Sequence, residues 1–383
     1  MPFALYALAL TAFAVGTAEF IIAGLLPTLA TDLSVSIPAA GLLVTAYALG
    51  CAFGGPVLAL WTSHWPRRPV IIGTAALYGV GQVLCAIAPN YELLLAARVL
   101  AALTHGLFFG NATIAAAGLV APERRGAAIS IVLAGVPLAN FLGVPFGAVI
   151  GHALGWRASF WIIAGIAALA TVLIAISLPR VKEEKTAPVP WRDQLRVLGR
   201  HQISLSYLML FVLLIGLLAF NTFQVPFLIE MTRLSENATP PYLFAYGAGA
   251  VIGILVGGRL ADWKLMPTLV GSIAAYTLIS GLILVASGST VAMFVAMLLM
   301  GVAVLIFQVQ PQARIVANAA GAPTLAATFI ATAFNLGYAL GAVAGAAALS
   351  AGLGYPSLPV IGIVCGLITL AIALWSWRLD RRA

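Results

Sequence analysis

Glu19 is the only carboxylate among the first 31 residues, and it lies within an apolar run from about Phe3 to Leu29. A run of that length can cross a bilayer, which takes roughly 20 helical residues. A charge at membrane depth costs about 2.5–3.5 kcal/mol on insertion scales, so such residues are rare and tend to carry function. Two basic side chains, Arg98 and His105, interrupt a second apolar run at 93–117. Counted from the outer ends of their helices, Glu19 lies roughly 15 Å deep, Arg98 roughly 8 Å and His105 roughly 18 Å. Arg98 and His105 are seven residues apart and share a helix face. If the two helices meet, the three residues form one cluster. Burial favours a neutral carboxyl, and water or a nearby cation favours an ionised one. Glu19 can then exchange a proton as its surroundings change, and His105 can share it. Plainer roles stand beside this one. Glu19 could be paired permanently with a neighbouring helix, Arg98 could be bonded to carbonyls of the first run, and His105 could satisfy a local hydrogen bond.

The other polar groups at depth are candidates for contact with a substrate: Asn111, Asn140, Asn221, Gln224, Gln308, Gln312, Asn335 and Tyr338. Phe13, Phe20, Phe109, Phe141, Phe220, Phe223, Phe307 and Phe334 could give an apolar lining. Sites for drug-like ligands are mostly apolar with a few polar anchors.

The elements that must position these residues follow from composition. Sixty-two per cent of residues are hydrophobic, 8% are charged and mean hydropathy is +1.09. A soluble domain carries about 25% charged residues, so this is a multi-pass membrane protein. Hydropathy gives twelve spans, at 4–29, 38–60, 70–88, 93–117, 127–150, 158–178, 203–229, 241–260, 267–286, 290–312, 324–350 and 357–377. The first lacks a basic leader segment and is expected to be retained as a span. With both termini on one side, that side receives 16 of the 19 Lys and Arg residues. By the positive-inside rule both termini are cytoplasmic. Basic residues spent on topology leave no nucleic-acid patch. Cys51, Cys85 and Cys365 lie in apolar runs at spacings that fit neither a disulfide framework nor a metal site.

A polar interval at 179–202, with Lys182-Glu183-Glu184-Lys185 and Trp191, reads as a cytoplasmic linker with a surface helix in its second part. It separates six spans, 1–178, from six more, 203–383. The halves repeat weakly. Leu154-Gly155-Trp156 matches Leu353-Gly354-Tyr355 at an offset of 199, as Pro27 matches Pro226, and Gly54-Gly55 matches Gly257-Gly258 at 203. This is the pattern of parallel repeats. Small residues recur every four in span five (Gly135, Ala139, Gly143, Gly147, Gly151), span eight (Gly249, Gly253, Gly257) and span eleven (Gly337, Gly341, Gly345). They suit close helix packing, either as static seams or as sliding seams between rocking halves. Pro137 and Pro145 can kink span five.

Four stretches resemble the major facilitator superfamily, and within it the twelve-span drug:proton antiporters of the arabinose-efflux-permease-like and chloramphenicol-resistance type. They are Gly16-Thr17-Ala18-Glu19-Phe20 through Pro27, Arg98-Val99-Leu100 with His105 through Gly110, Gly143-Val144-Pro145-Phe146-Gly147, and Gly257-Gly258-Arg259-Leu260-Ala261-Asp262. The chain departs from the pattern between spans two and three, where the family's Asp is missing from Gly55-Pro56-Val57-Leu58-Ala59-Leu60-Trp61. Ala148 also stands where a glycine is usual.

The resemblance implies an all-α membrane protein, with twelve transmembrane helices in two six-helix halves around a central cavity. It implies proton coupling through Glu19, Arg98 and His105, and gating through Gly143, Pro145, Gly147, Arg259 and Asp262. The second half has no deep counterpart of Glu19 or Arg98, so it is expected to supply a neutral wall. The expected activity is proton-coupled efflux of small apolar or amphipathic compounds across the inner membrane, by a monomer with no cofactor. Uptake or export of a sugar or nucleoside is the alternative on the same fold. No Gly-rich phosphate loop precedes any of the three lysines, and no Gly-x-Ser-x-Gly elbow is present, which argues against a pump or a hydrolase.

Overall fold

A computed structural model describes residues 1–62, 65–121, 124–179, 199–319 and 323–381. The surface helix expected in the linker lies outside the described residues. Among those described, eleven helices are long and apolar enough to cross a membrane. The longest, Pro240–Ala286, has 47 residues and leaves helical geometry only at Lys264 (φ −151°, ψ 85°). Unbroken it would measure about 70 Å, over twice the roughly 30 Å of bilayer hydrocarbon. It is therefore two spans, which makes twelve among the described residues. We number them α1 (Phe3–Asp32), α2 (Ile37–Trp61), α3 (Arg67–Ile87), α4 (Tyr91–Gly118), α5 (Arg125–Leu154) and α6 (Trp156–Ser177). The second set is α7 (His201–Asn221, continued by Gln224–Thr232), α8 (240–263), α9 (265–286), α10 (Thr290–Asn318), α11 (Pro323–Ser350) and α12 (Ser357–Asp380). Large apolar side chains such as Ile176, Leu278 and Val285 lie exposed along these helices, as lipid-facing residues do.

The chain forms two compact units, Met1–Lys185 and Thr186–Ala383. In the first, α1 packs on α5 and α6, α2 on α4, and α3 on α4 and α6. In the second, α8 packs on α10, and α7 on α11 and α12. The glycine stripes make these seams. Gly143, Gly147 and Gly151 of α5 face Thr17, Ile21 and Leu25 of α1. Gly50 and Gly54 of α2 face Val99 and Leu103 of α4. Gly249, Gly253 and Gly257 of α8 face Leu298, Val302 and Ile306 of α10, while Gly337, Gly341 and Gly345 of α11 face α7 between Phe211 and Phe223. Each seam advances four residues on both helices, so the paired helices run parallel. All of these seams lie inside one unit or the other. Of the two readings of the stripes, these contacts favour static packing within a unit over a seam between the halves, with each glycine face taking a neighbouring helix's backbone or side chain.

Two expectations change. The stretch Gly257–Asp262, which runs past the end assigned to span eight at 260, lies wholly in the last turns of α8, because the break comes only at Lys264. In α5, the kink resolves into a defined break. The helix stops at Leu133, resumes over Gly135–Leu138, makes a π-helical turn at Ala139–Gly143 and continues from Val144. Pro137 and Pro145 lack the N–H that the carbonyls of Leu133 and Phe141 would otherwise accept, so the ladder is interrupted at both places.

A methyl group on Gly249 would overlap the Leu298 carbonyl, whereas one on Gly73 meets nothing within 4 Å. Gly249→Ala should lower stability by about 1–3 kcal/mol through overpacking. Gly73→Ala should be neutral or slightly stabilising, since alanine is the better helix former. Thermal unfolding of the two purified variants checks this.

Candidate functional site

In the first unit α1, α2, α3 and α4 bring a set of polar side chains together. Arg98 is 0% exposed. Its guanidinium donates from Nη1 to the Ala18 carbonyl (2.5 Å) and from Nη2 to the Glu19 carbonyl (3.4 Å). The Arg98 guanidinium carbon also lies 4.2 Å from the centroid of the Tyr47 ring. The Tyr47 hydroxyl meets His105 Nδ1 at 3.2 Å. His105 in turn packs against Phe109, with ring centroids 5.0 Å apart. Tyr78 of α3 closes the set, donating from its hydroxyl to the Ala14 carbonyl of α1 (3.2 Å). The Glu19 side chain is half-buried and feels the charge of Arg98.

The structure thus places Glu19, Arg98 and His105 in one neighbourhood, with Tyr47 as the link. The bonds Arg98 makes are to backbone carbonyls of α1, which leaves the Glu19 carboxyl unneutralised by a direct ion pair among the contacts seen. Two members, Tyr47 and Tyr78, escaped sequence reading. An aromatic residue in a span is usually packing. Their hydroxyls deep in α2 and α3 were the available signal, since a buried Tyr hydroxyl needs a partner.

The remaining candidates are scattered among local contacts. Asn111, Asn140 and Asn335 each donate to the carbonyl four residues earlier on their own helix (Leu107, Val136 and Ala331). Asn221 donates to the Tyr246 hydroxyl (2.9 Å) beside the break in α7, where Thr222 Oγ1 and Gln224 Oε1 are buried without a partner among the described residues. Gln308 is half-buried, and Tyr338 is buried with its ring against Phe334. Gln310, which sequence reading passed over, is fully buried and donates to the Gly257 carbonyl. Phe220, Phe223 and Phe307 are core residues rather than lining, because the seams close over them. Gly143, Pro145 and Gly147 lie at the α5 break against α1. Arg259 and Asp262 are both exposed near the end of α8, and Arg259 donates to the Leu255 carbonyl of its own helix.

The internal repeat explains the difference between the units. At the offset of 203 that superposes the α2–α4 seam on the α8–α10 seam, Arg98 corresponds to Gly301 and Tyr47 to Ala250. Gly301 packs directly against the backbone of α8 from Tyr246 to Ala250. A cation on an aromatic ring in one unit is replaced by two small residues in contact in the other.

Two charge pairs were not foreseen. Asp32 accepts from Trp156 Nε1 (2.8 Å) and Arg157 Nη1 (2.6 Å), joining the end of α1 to the start of α6. Arg314, near the end of α10, is 4% exposed. It donates to both carboxylate oxygens of Asp380 (2.8 and 2.7 Å) and to Ser376, tying α10 to α12.

The model of the Major Facilitator Superfamily matches residues 8–342. The chain belongs to the major facilitator superfamily. Its relatives within the superfamily include the inner membrane transport protein YdhP of Escherichia coli, 38% identical over 377 residues and covering 98% of this chain and 96% of the relative. A chloramphenicol resistance protein of Streptomyces lividans is 33% identical over 340 residues, 88% of this chain and 86% of the relative. Among solved structures, a peptide transporter aligns over 99% of this chain and 96% of its own, with a TM-score of 0.76 at 16% identity. Membership makes this superfamily protein a transporter and not an enzyme, and its fold is the major facilitator fold of twelve helices.

The link through Tyr47 gives a contrast to measure. Tyr47→Phe keeps the ring beneath Arg98 and loses the bond to His105, a change of about 0.5–1.5 kcal/mol. Tyr47→Ala removes the ring as well, and truncating a buried aromatic costs about 3–5 kcal/mol. Denaturation of the two variants should separate them in that order.

Proposed function

We propose that the protein exports a small apolar or amphipathic compound, of the size and character of chloramphenicol, across the inner membrane in exchange for protons. The observation that carries this reading is Glu19, a carboxyl placed within a membrane-spanning helix beside a buried guanidinium that is bonded to the backbone rather than to it. Burial favours the neutral form of such an acid and water or a nearby cation the ionised form, so opening to water or closing against protein selects between them. Alternating access supplies those two surroundings in turn. The likeness to a chloramphenicol resistance protein supports a drug-like substrate. The 16 basic residues assigned to one side support cytoplasmic termini. His105 and Tyr47 extend the proton-handling group, while Asn221, Gln224, Gln308, Asn335 and Tyr338 supply the second unit's polar anchors, with Asn111 and Asn140 those of the first. Gly143, Pro145, Gly147, Arg259 and Asp262 serve gating, and the working unit is a monomer.

Proteoliposomes loaded with radiolabelled chloramphenicol and given an imposed pH gradient test the reading. Wild-type protein should couple proton entry to drug exit. Glu19→Gln should reduce gradient-driven transport to background while leaving a folded protein that still binds drug. Exchange that ignores pH, with Glu19→Gln fully active, would sink proton coupling and favour facilitated passage of a sugar or nucleoside.

A further inference from the structure

Gln82 of α3 is 0% exposed, and among the described residues neither its Oε1 nor its Nε2 has a hydrogen-bond partner. The Nε of Arg98 is likewise buried and unpaired. Two helix registers place these groups side by side. Along α1, which runs parallel to α3, Tyr78 bonds at Ala14, so Gln82, one turn further on, comes level with Ala18 and Glu19. Those are the carbonyls that hold Arg98. Along α4, which runs antiparallel, Gly81 abuts Ala101, so the turn from Gln82 to Cys85 passes Arg98. Gly79 faces Ala167 of α6 and Gly81 faces α4, so Gln82 points between them toward the interior of the unit. An unpaired carboxamide and an unpaired guanidinium N–H together in a dry interior carry a desolvation cost that one hydrogen bond between them would remove.

We propose that Gln82 is a positioning residue for Arg98. Its Oε1 is the alternative acceptor that takes the Arg98 Nε–H when the guanidinium releases the α1 carbonyls. The inference rests on the proposed proton-coupled cycle, in which Arg98 and Glu19 change their mutual exposure. The titratable groups facing this point are Glu19 from α1, Tyr47 and Cys51 from α2, Tyr78 and Cys85 from α3, and His105 from α4.

Two readouts on the full chain test it. With arginine labelled at Nε, the Arg98 signal, assigned by its loss in Arg98→Lys, should move in Gln82→Leu. An unchanged signal overturns the proposal. In proteoliposomes, Gln82→Leu should fold with a melting temperature at or above wild type, since an unpaired amide is gone. Its gradient-driven chloramphenicol transport should nevertheless fall severalfold, with a shifted pH profile, and Gln82→Glu should restore activity by keeping an acceptor there. Wild-type rate and pH profile in Gln82→Leu would make the residue mere packing. Should Gln82→Leu not fold, Gln82→Met takes its place under the same criteria. If Glu19→Gln keeps the wild-type pH response, proton coupling fails on its own account, and the Arg98 signal alone decides the role of Gln82.

Discussion

The Arg98 guanidinium, entirely out of water, is held by two carbonyl oxygens of α1 and the face of the Tyr47 ring. A charge there costs about 2.5–3.5 kcal/mol to insert. Hydrogen bonds to a charged group contribute about 1.5–3 kcal/mol each, and a desolvated cation–π contact about 2 kcal/mol. The held state is therefore affordable, since the three contacts together outweigh the cost of insertion. Lysine would not serve as well, since a compact point charge lacks the planar fork that meets two carbonyls and a ring at once. Everything else in the first unit's polar set follows from this grip. It fixes α4 against α1, and it occupies the cation with backbone so that the Glu19 carboxyl stays available.

The same seam without the cation appears in the second unit. There Gly301 and Ala250 meet where Arg98 and Tyr47 would be, and α8 and α10 come together backbone to backbone. Repeated architecture with unequal chemistry is consistent with gene-duplicated halves in which one keeps the titratable set. The second unit's own buried charge, Arg314, lies near the end of α10 and is satisfied in full by Asp380 and Ser376. It pins helices rather than leaving a charge to exchange.

The close seams also limit where motion can occur. Helices joined through glycine faces are bistable or rigid, not continuously deformable. Within the described helices the irregular places are the π turn in α5, the break in α7 at Thr222 and Phe223, and Lys264 between α8 and α9. Each has a local cause or a local cluster of unpaired polar groups, as at Thr222 and Gln224.

Much of this was legible in the chain alone. Hydropathy yields the spans, because the bilayer imposes length and composition on every crossing segment. Glu19, Arg98 and His105 stood out because charge in hydrocarbon is costly enough to be conspicuous. The register of the glycine stripes was visible too, but not what each stripe faced, since a four-residue period says only that something comes close. Tyr47, Tyr78, Gln82 and Gln310 were hidden because uncharged polar groups cost little to insert and acquire meaning only from a partner on another helix. Whether Arg98 binds the Glu19 carboxyl or the backbone beside it was likewise beyond one-dimensional reading. Depth along a helix follows from counting residues, but which atoms meet across two helices depends on their rotation and separation, and those exist only in the packed unit.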